Sequence, residues 1–321
     1  MDIKNKSQFV EYFSKGIKDL SQLKIGVEHE RFLFEGKNKK RISYQKLKIL
    51  FENLKSNGWQ PIYEKEEIIG MKREKQKITT EPGLQCELSG APLENIHQVC
   101  GESSKFFKEI EVASKGLDLN TVSIGFDPFN SLTDTPKSPK KRYKIMTKEM
   151  PKSGKDSLEM MYRTCGIQIN YEYTSEDNFE KIFRLGNYLT PLTIALYSNS
   201  PFESGKPTGY YSYRNKVWQN TSRGGIMPIA FEKITFEKYF DYIIEYPILF
   251  AIRNNYYVEP NGQTFKDFIL GNFSNLKDKA NIKDFETHLA TIFTEVRLKQ
   301  YIEVRSLDAC DWQCLCDGPA F

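Results

Sequence analysis

Apolar positions at three- and four-residue spacing open the chain. Phe9, Phe13, Ile17 and Leu20 predict an amphipathic helix over 7–20. The same periodicity predicts helices over 44–57 (Leu47, Leu50, Phe51, Leu54, stopping at Asn57-Gly58) and 93–114 (Ile96, Val99, Phe107, Ile110). A mostly apolar helix over 177–198 is expected to break at Pro191, and helices are expected over 236–252 and 285–293. Alternating patterns predict strands over 24–34, 78–88 (with a Pro82-Gly83 kink), 164–173 and 297–307. The stretch 134–155 carries eight Lys/Arg among Pro136, Pro139, Pro151 and Gly154, and reads as a loop. Strands and helices without regular β-α alternation argue for an α+β fold with an antiparallel sheet.

In a strand, residues two apart share a face, and this sorts the polar positions. Gly26, Glu28 and Glu30 oppose Ile25, Val27 and Leu33. Gln85, Glu87 and Ser89 oppose Leu84, Cys86 and Leu88. Thr164, Gly166, Gln168, Asn170 and Glu172 oppose Cys165, Ile167, Ile169, Tyr171 and Tyr173, while Tyr301, Glu303 and Arg305 oppose Ile302 and Val304. Alternation alone also fits a sheet with one wet face. The combination points further, because three strands carry Glu at their middles, two of them beside an amide or a second Glu. Carboxylates brought together repel unless a cation neutralises them. Oxygen-rich sets of Glu, Gln and Asn suit Mg²⁺, which shares its ligands with substrate phosphates. Arg305, on the face of Glu303, has the fork geometry that binds phosphate with two hydrogen bonds.

Composition narrows the class. The 321 residues are 39% hydrophobic and 13% aromatic, enough for a sizeable core, and the formal net charge of +4 is too small to argue for nucleic-acid binding. No apolar run reaches the ~18 residues of a membrane span. The start, Met1 to Lys6, has no apolar segment of a signal peptide behind it, so a cytoplasmic protein with reduced thiols is expected. Cys86, Cys100 and Cys165 read as small core side chains. Cys310, Cys314 and Cys316 cluster, but no histidine or fourth cysteine nearby completes a zinc-like set. His29 faces the apolar side of its strand and reads as structural. There is no P-loop and no Gly-x-Gly-x-x-Gly pattern, so a nucleotide would be held by metal and sheet.

The motifs have a recognisable order. Ile25-Gly-Val-Glu-His-Glu30, Glu81-Pro-Gly-Leu-Gln-Cys-Glu-Leu-Ser-Gly-Ala-Pro92 and Met160-Met-Tyr-Arg-Thr-Cys-Gly-Ile-Gln-Ile-Asn170 are followed by Asn199-Ser-Pro-Phe202, Ser212-Tyr-Arg-Asn-Lys-Val-Trp218 and Asp284 to Arg305. Together they resemble the glutamate–cysteine ligases of plants and proteobacteria, nearly end to end. The resemblance implies a glutamine-synthetase-like fold whose curved antiparallel sheet forms a funnel-shaped active site flanked by helices. It implies ATP- and Mg²⁺-dependent joining of the L-glutamate γ-carboxylate to the amine of L-cysteine through γ-glutamyl phosphate, the first step of glutathione biosynthesis. Glu28, Glu30, Glu87 and Glu303 are the implied Mg²⁺ ligands. Gln168 and Asn170 are implied to line the site, with Arg214 and Trp218 meeting substrate and Arg305 near the transferring phosphate; Arg305 and Arg214 are the candidate catalytic residues. Arg142, in the basic stretch, is a candidate lid residue over phosphates, against the plainer reading of solvated charge.

The sequence departs from the family at Leu84, where a second Gly is usual, and at Gly166, where Thr is usual. Family members continue past Gly318-Pro-Ala-Phe321, so residues 1–321 are expected to be a single catalytic domain lacking the C-terminal part of the family fold, as a monomer or homodimer. Another carboxylate–amine ligase of the same fold, or a non-catalytic glutamate- or nucleotide-binding relative, remains an alternative; a basic nucleic-acid-binding module ranks last.

Overall fold

The computed structural model describes residues 6–152, 154–254 and 256–321, so the first five residues of the N-terminal stretch lie outside the described residues. The N-terminal half runs α1 (Ser7–Ser14), β1 (Ile25–Glu35), β2 (Lys40–Arg41), α2 (Tyr44–Leu54), β3 (Gln60–Glu64), β4 (Glu67–Arg73), β5 (Gln76–Thr80), β6 (Cys86–Ser89), α3 (Ile96–Ala113) and β7 (Leu119–Val122). Next come α4 (Lys141–Glu149), α5 (Ser157–Arg163), β8 (Gly166–Tyr171), α6 (Glu176–Leu196), β9 (Phe202–Glu203), β10 (Lys206–Pro207), α7 (Tyr213–Gln219) and α8 (Phe236–Ile243). The chain closes with β11 (Ala251–Arg253), β12 (Tyr256–Val258), α9 (Phe265–Ile269), α10 (Ile282–Leu289), β13 (Val296–Leu298), β14 (Ile302–Asp308) and α11 (Trp312–Asp317).

The α+β class is as expected, built on a ten-stranded sheet ordered β13-β14-β8-β1-β6-β5-β4-β3, with β2 and β7 on the far half of β1. Every pairing is antiparallel. The expected curved, funnel-forming sheet is not what the chain builds. The strand order is an open path whose ends, β13 and β3, do not pair with each other, so the sheet neither curves into a funnel nor closes. The cavity described below is instead walled on one face by α4, α10 and the β11–β12 hairpin.

Apolar faces fill two main cores. One gathers Phe9 and Phe13 of α1, Phe179 and Phe183 of α6, Tyr239 and Phe240 of α8, and Phe285 of α10 beneath β13 and β14. The other packs Leu47, Leu50 and Phe51 of α2 and Phe106 and Ile110 of α3 against Met71, Ile78 and Leu88 of the sheet. Side-chain caps start the helices: Ser43, Asn95, Ser175 and Ser212 each accept from a backbone N–H two or three residues into the helix that follows.

Four local expectations are corrected. The strand over 78–88 is two, β5 and β6, reversed by a turn in which Leu84 has φ +59° and Leu84 N–H donates to the Glu81 carbonyl at 2.9 Å. The stretch 297–307 is also a hairpin, with Arg297 opposite Glu303. Helix α6 runs through Pro191 unbroken, pinned to the core by Phe183, Asn187, Thr190 and Thr193. The basic stretch contains α4, whose buried Tyr143 and Met146, followed by Met150, form an apolar stripe among the lysines.

The thiols depart as well. Cys100 of α3 is bonded to Cys316 of α11, and Cys310 to Cys314, because the end of β14 brings α11 down onto α3. Cys86 and Cys165 are free and buried, as expected. Among the described residues, no helix is long and apolar enough to cross a membrane.

Candidate active site

Strand register decides which polar side chains meet. Glu30 lies opposite Glu87 across β1 and β6, Glu28 opposite Gln168 across β1 and β8, and Asn170 opposite Glu303 across β8 and β14. Four strands therefore deliver one polar row. Gln168 Nε2 donates to Glu30 (3.3 Å), Asn170 Nδ2 to Glu28 (3.2 Å), and the Gly166 backbone N–H to Glu30 (2.6 Å). Thr79 and Ser89 hydroxyls donate to Glu87 at 3.1 and 2.9 Å.

Glu81, in the β5–β6 turn, joins this row. Carboxylate oxygens of Glu30, Glu81 and Glu87 all lie within 4.8 Å of one another. Burial, reinforced by Glu81, raises Glu30 from an ordinary 4.5 to about 7. Burial also lifts Glu87 well above its ordinary value, with Glu81, Glu28 and Glu30 adding to it. Three half-buried or buried carboxylates so close together, two of them with raised affinities for protons, are a cluster short of positive charge, which is the donor set a hard divalent cation fits.

These carboxylates form the floor of a cavity of about 360 Å³. Arg142, Arg297 and Arg305 stand around it, and Phe250, Ile252 and Phe293 give it an apolar wall. Arg142 donates to the Tyr143 hydroxyl (2.7 Å), which donates to Glu81 (3.1 Å). This chain of bonds and the partial burial of Arg142 replace the solvated-charge reading of the basic stretch at this residue. The combination of acidic floor, cationic rim and apolar wall matches the three parts of a metal-bound nucleotide: cation, phosphates and base. A larger, mostly apolar cavity of about 580 Å³ lies at the far end of β1, lined by Phe34, Phe129 and Phe202.

Of the residues singled out from sequence, Glu28, Glu30, Glu87, Gln168, Arg142 and Arg305 line the cavity. Asn170 touches it through Glu28. Glu303 departs from the metal-ligand expectation. It is completely buried, grips Arg297 through two bonds of 2.9 Å, and pairs with Lys299 at 2.9 Å and with Arg305. Burial opposes its ionisation most, yet Arg297, Lys299 and Arg305 together hold it well below the usual carboxylate range. A carboxylate facing three cations has no charge left to attract a fourth.

Arg214 and Trp218 stand beside the polar row without lining the cavity. Arg214 is 2% exposed and donates to the Arg305 carbonyl at 2.9 Å. Trp218 is buried between the Arg214 and Arg305 guanidinium groups (5.2 and 5.4 Å from its ring) and edge-on to Phe293. His29 is structural, as expected: it is buried, bonded to the Cys310 carbonyl at 3.1 Å, and pushed by burial down to about 3. Sequence reasoning missed Glu81, Arg297 and the apolar wall. Glu81 had a signal, since it opens the Glu81-Pro-Gly turn directly before the strand of Glu87.

A family model described as "Glutamate-cysteine ligase family 2 (GCS2)" matches residues 24–321. The chain is 40% identical over 321 residues to glutamate–cysteine ligase B, chloroplastic, of Oryza sativa subsp. japonica, covering 98% of this chain and 65% of that protein. It is 40% identical to the chloroplastic glutamate–cysteine ligase of Nicotiana tabacum and 39% to that of Arabidopsis thaliana, again over 98% of this chain and 62% of each relative. The chain thus spans less than two thirds of the length of these curated relatives.

Proposed function

We propose that this chain, which belongs to glutamate-cysteine ligase family 2, joins the γ-carboxylate of L-glutamate to the amine of L-cysteine with hydrolysis of ATP to ADP and phosphate. What carries the reading is the meeting of Glu30, Glu81 and Glu87 within 4.8 Å beneath a rim of arginines. Glu30, Glu81 and Glu87, with Glu28 beside them, would hold Mg²⁺. When bound, the cation screens the phosphate oxygens so that a carboxylate can approach phosphorus.

The chain's own groups supply the rest. Phe250, Ile252 and Phe293 offer an apolar surface for the purine. Arg142 reaches in from α4 and Arg305 from β14, placing guanidinium forks where charge accumulates on the moving phosphoryl group. A glutamate γ-carboxylate oxygen bonds to the γ-phosphorus as the bond to the ADP oxygen breaks. The cysteine nitrogen then bonds to the carbonyl carbon of this acyl phosphate, loses a proton, and phosphate departs with the electron pair of the carbon–oxygen bond that breaks. Gln168 and Asn170 orient Glu30 and Glu28 through their amide hydrogen bonds. Glu303 holds Arg297 and Arg305 in place as their counter-charge.

The test is phosphate release from ATP by the purified chain. It should require Mg²⁺, glutamate and cysteine together, and Glu87→Gln should abolish it. Release that persists without cysteine would move the assignment to another amine acceptor, and tight ATP binding with no product would favour a non-catalytic relative.

A further inference from the structure

We propose that Asp308 is a positioning residue: by holding Arg214 against β14 it fixes the direction in which Arg305 faces the cavity. The proposal rests on the reading of that cavity as the phosphate site.

The argument starts from an irregularity in the sheet. Strand β14 pairs with β8 through Val304–Ile169 and then through Leu307–Ile167, so β14 carries one extra residue between them. Such a bulge breaks the ladder and re-aims a side chain, and bulges concentrate beside functional sites. Arg305 sits in it. Its carbonyl accepts from Arg214 Nη2 at 2.9 Å, and its N–H donates to the Glu295 carbonyl at 2.8 Å. Arg214 therefore satisfies a backbone group that the bulge removes from the ladder, as a buried carbonyl requires.

Arg214 is itself tied to Asp308, while Glu30 and Glu295 also face its charge. Asp308, 1% exposed at the end of β14, accepts from the Asn199 backbone N–H (2.8 Å) and from the Ser200 and Ser212 hydroxyls (2.6 and 2.9 Å), and lies 3.9 Å from Arg214 Nη1. Ser212 caps α7, the helix that carries Arg214, by accepting from the Asn215 N–H. Ser200 accepts from the Arg214 N–H. One carboxylate thus gathers the cap, the backbone and the guanidinium of Arg214.

Two glycines leave the room for this pair. A Cβ on Gly125 would lie 2.4 Å from Asp308 Cγ, and one on Gly166 would lie 2.6 Å from Arg214 Nη2. Neither glycine has positive φ, so the backbone does not demand glycine at either place; a Cβ there would have to displace the Asp308 carboxylate or the Arg214 guanidinium.

The experiment uses the full chain with Asp308→Asn, which keeps the shape and removes the charge, and Gly166→Ala, which leaves Asp308 intact and crowds the guanidinium. Arginine side-chain NMR signals, assigned with Arg214→Lys and Arg305→Lys, report on position without requiring activity. Both variants should shift the Arg305 side-chain signal as well as that of Arg214, and leave that of the remote Arg73 in place. Each should also lower kcat for phosphate release by about tenfold or more, with KM for ATP changed by less than about twofold, as for a group that acts on transition-state charge. An Arg305 signal unmoved in both variants, or unchanged kcat in both, overturns the proposal. If Asp308→Asn does not fold, Gly125→Ala, whose Cβ would lie 2.4 Å from Asp308 Cγ, takes its place. A wild-type chain that releases no phosphate overturns the ligase reading, while the NMR comparison still decides the positioning claim.

Discussion

Replacing Glu30 by glutamine should make the metal-free protein more stable at neutral and alkaline pH, although it removes a proposed functional group. Two carboxylates 4.8 Å apart repel by about 3.5 kcal/mol at an effective dielectric of about 20. Burial, with the repulsion of Glu81, lifts Glu30 from 4.5 to about 7. The folded chain then binds this proton more tightly than the unfolded chain does. The stability that Glu30 contributes is greatest below pH 4.5, falls as pH rises through the window, and is lost above about pH 7. At 1.36 kcal/mol per unit, a shift of about 2.5 units corresponds to about 3 kcal/mol. Urea denaturation in the presence of a chelator, at pH 5 and pH 8, measures it. Glu30→Gln should flatten the pH dependence by about 3 kcal/mol, and Mg²⁺ at pH 8 should restore wild-type stability while helping the variant less. A variant that is less stable than wild type at pH 8 without metal, or that shows an unchanged pH slope, would refute the claim that this cluster is held under repulsion.

Two further predictions follow from the same charges. Glu303→Gln should act in the opposite direction, lowering stability by about 3–5 kcal/mol in urea titrations, because Arg297, Lys299 and Arg305 would be left buried without their counter-charge. Arg305→Lys should lower kcat by about a hundredfold with little change in Tm, since a lysine keeps the charge but loses the fork.

The period-two faces were legible because alternation is a local property. That signal put Glu28, Glu30, Glu87 and Gln168 on the faces that line the cavity, the family resemblance gave them their expected roles, and β1 and β8 lie where the pattern put them. What escaped depends on pairing that no short window contains. Glu81 sits in a turn with no periodicity, and only the β5–β6 hairpin folds it back over Glu87. Glu303 was assigned to the correct face, but its neutralisation comes from Arg297 directly across a hairpin that reads in sequence as one strand. Arg214 carried the right chemistry on a short helix, yet the direction of its side chain is set by Asp308 and by the bulge. The lysines around α4 masked Tyr143 and Met146, whose spacing was helical all along. The open sheet was the costliest error, since edge pairing is decided by the whole chain.

The account rests on a phosphoryl group passing from ATP to the glutamate side chain in this cavity. Glutamate carrying a heavy oxygen isotope in its γ-carboxylate, incubated with the chain, Mg²⁺, ATP and cysteine, reports that step directly by mass spectrometry of the phosphate. One labelled oxygen in each phosphate released is the result expected of the acyl phosphate route. Phosphate released without label would mean that water, not glutamate, takes the phosphoryl group, and the proposed chemistry would be wrong.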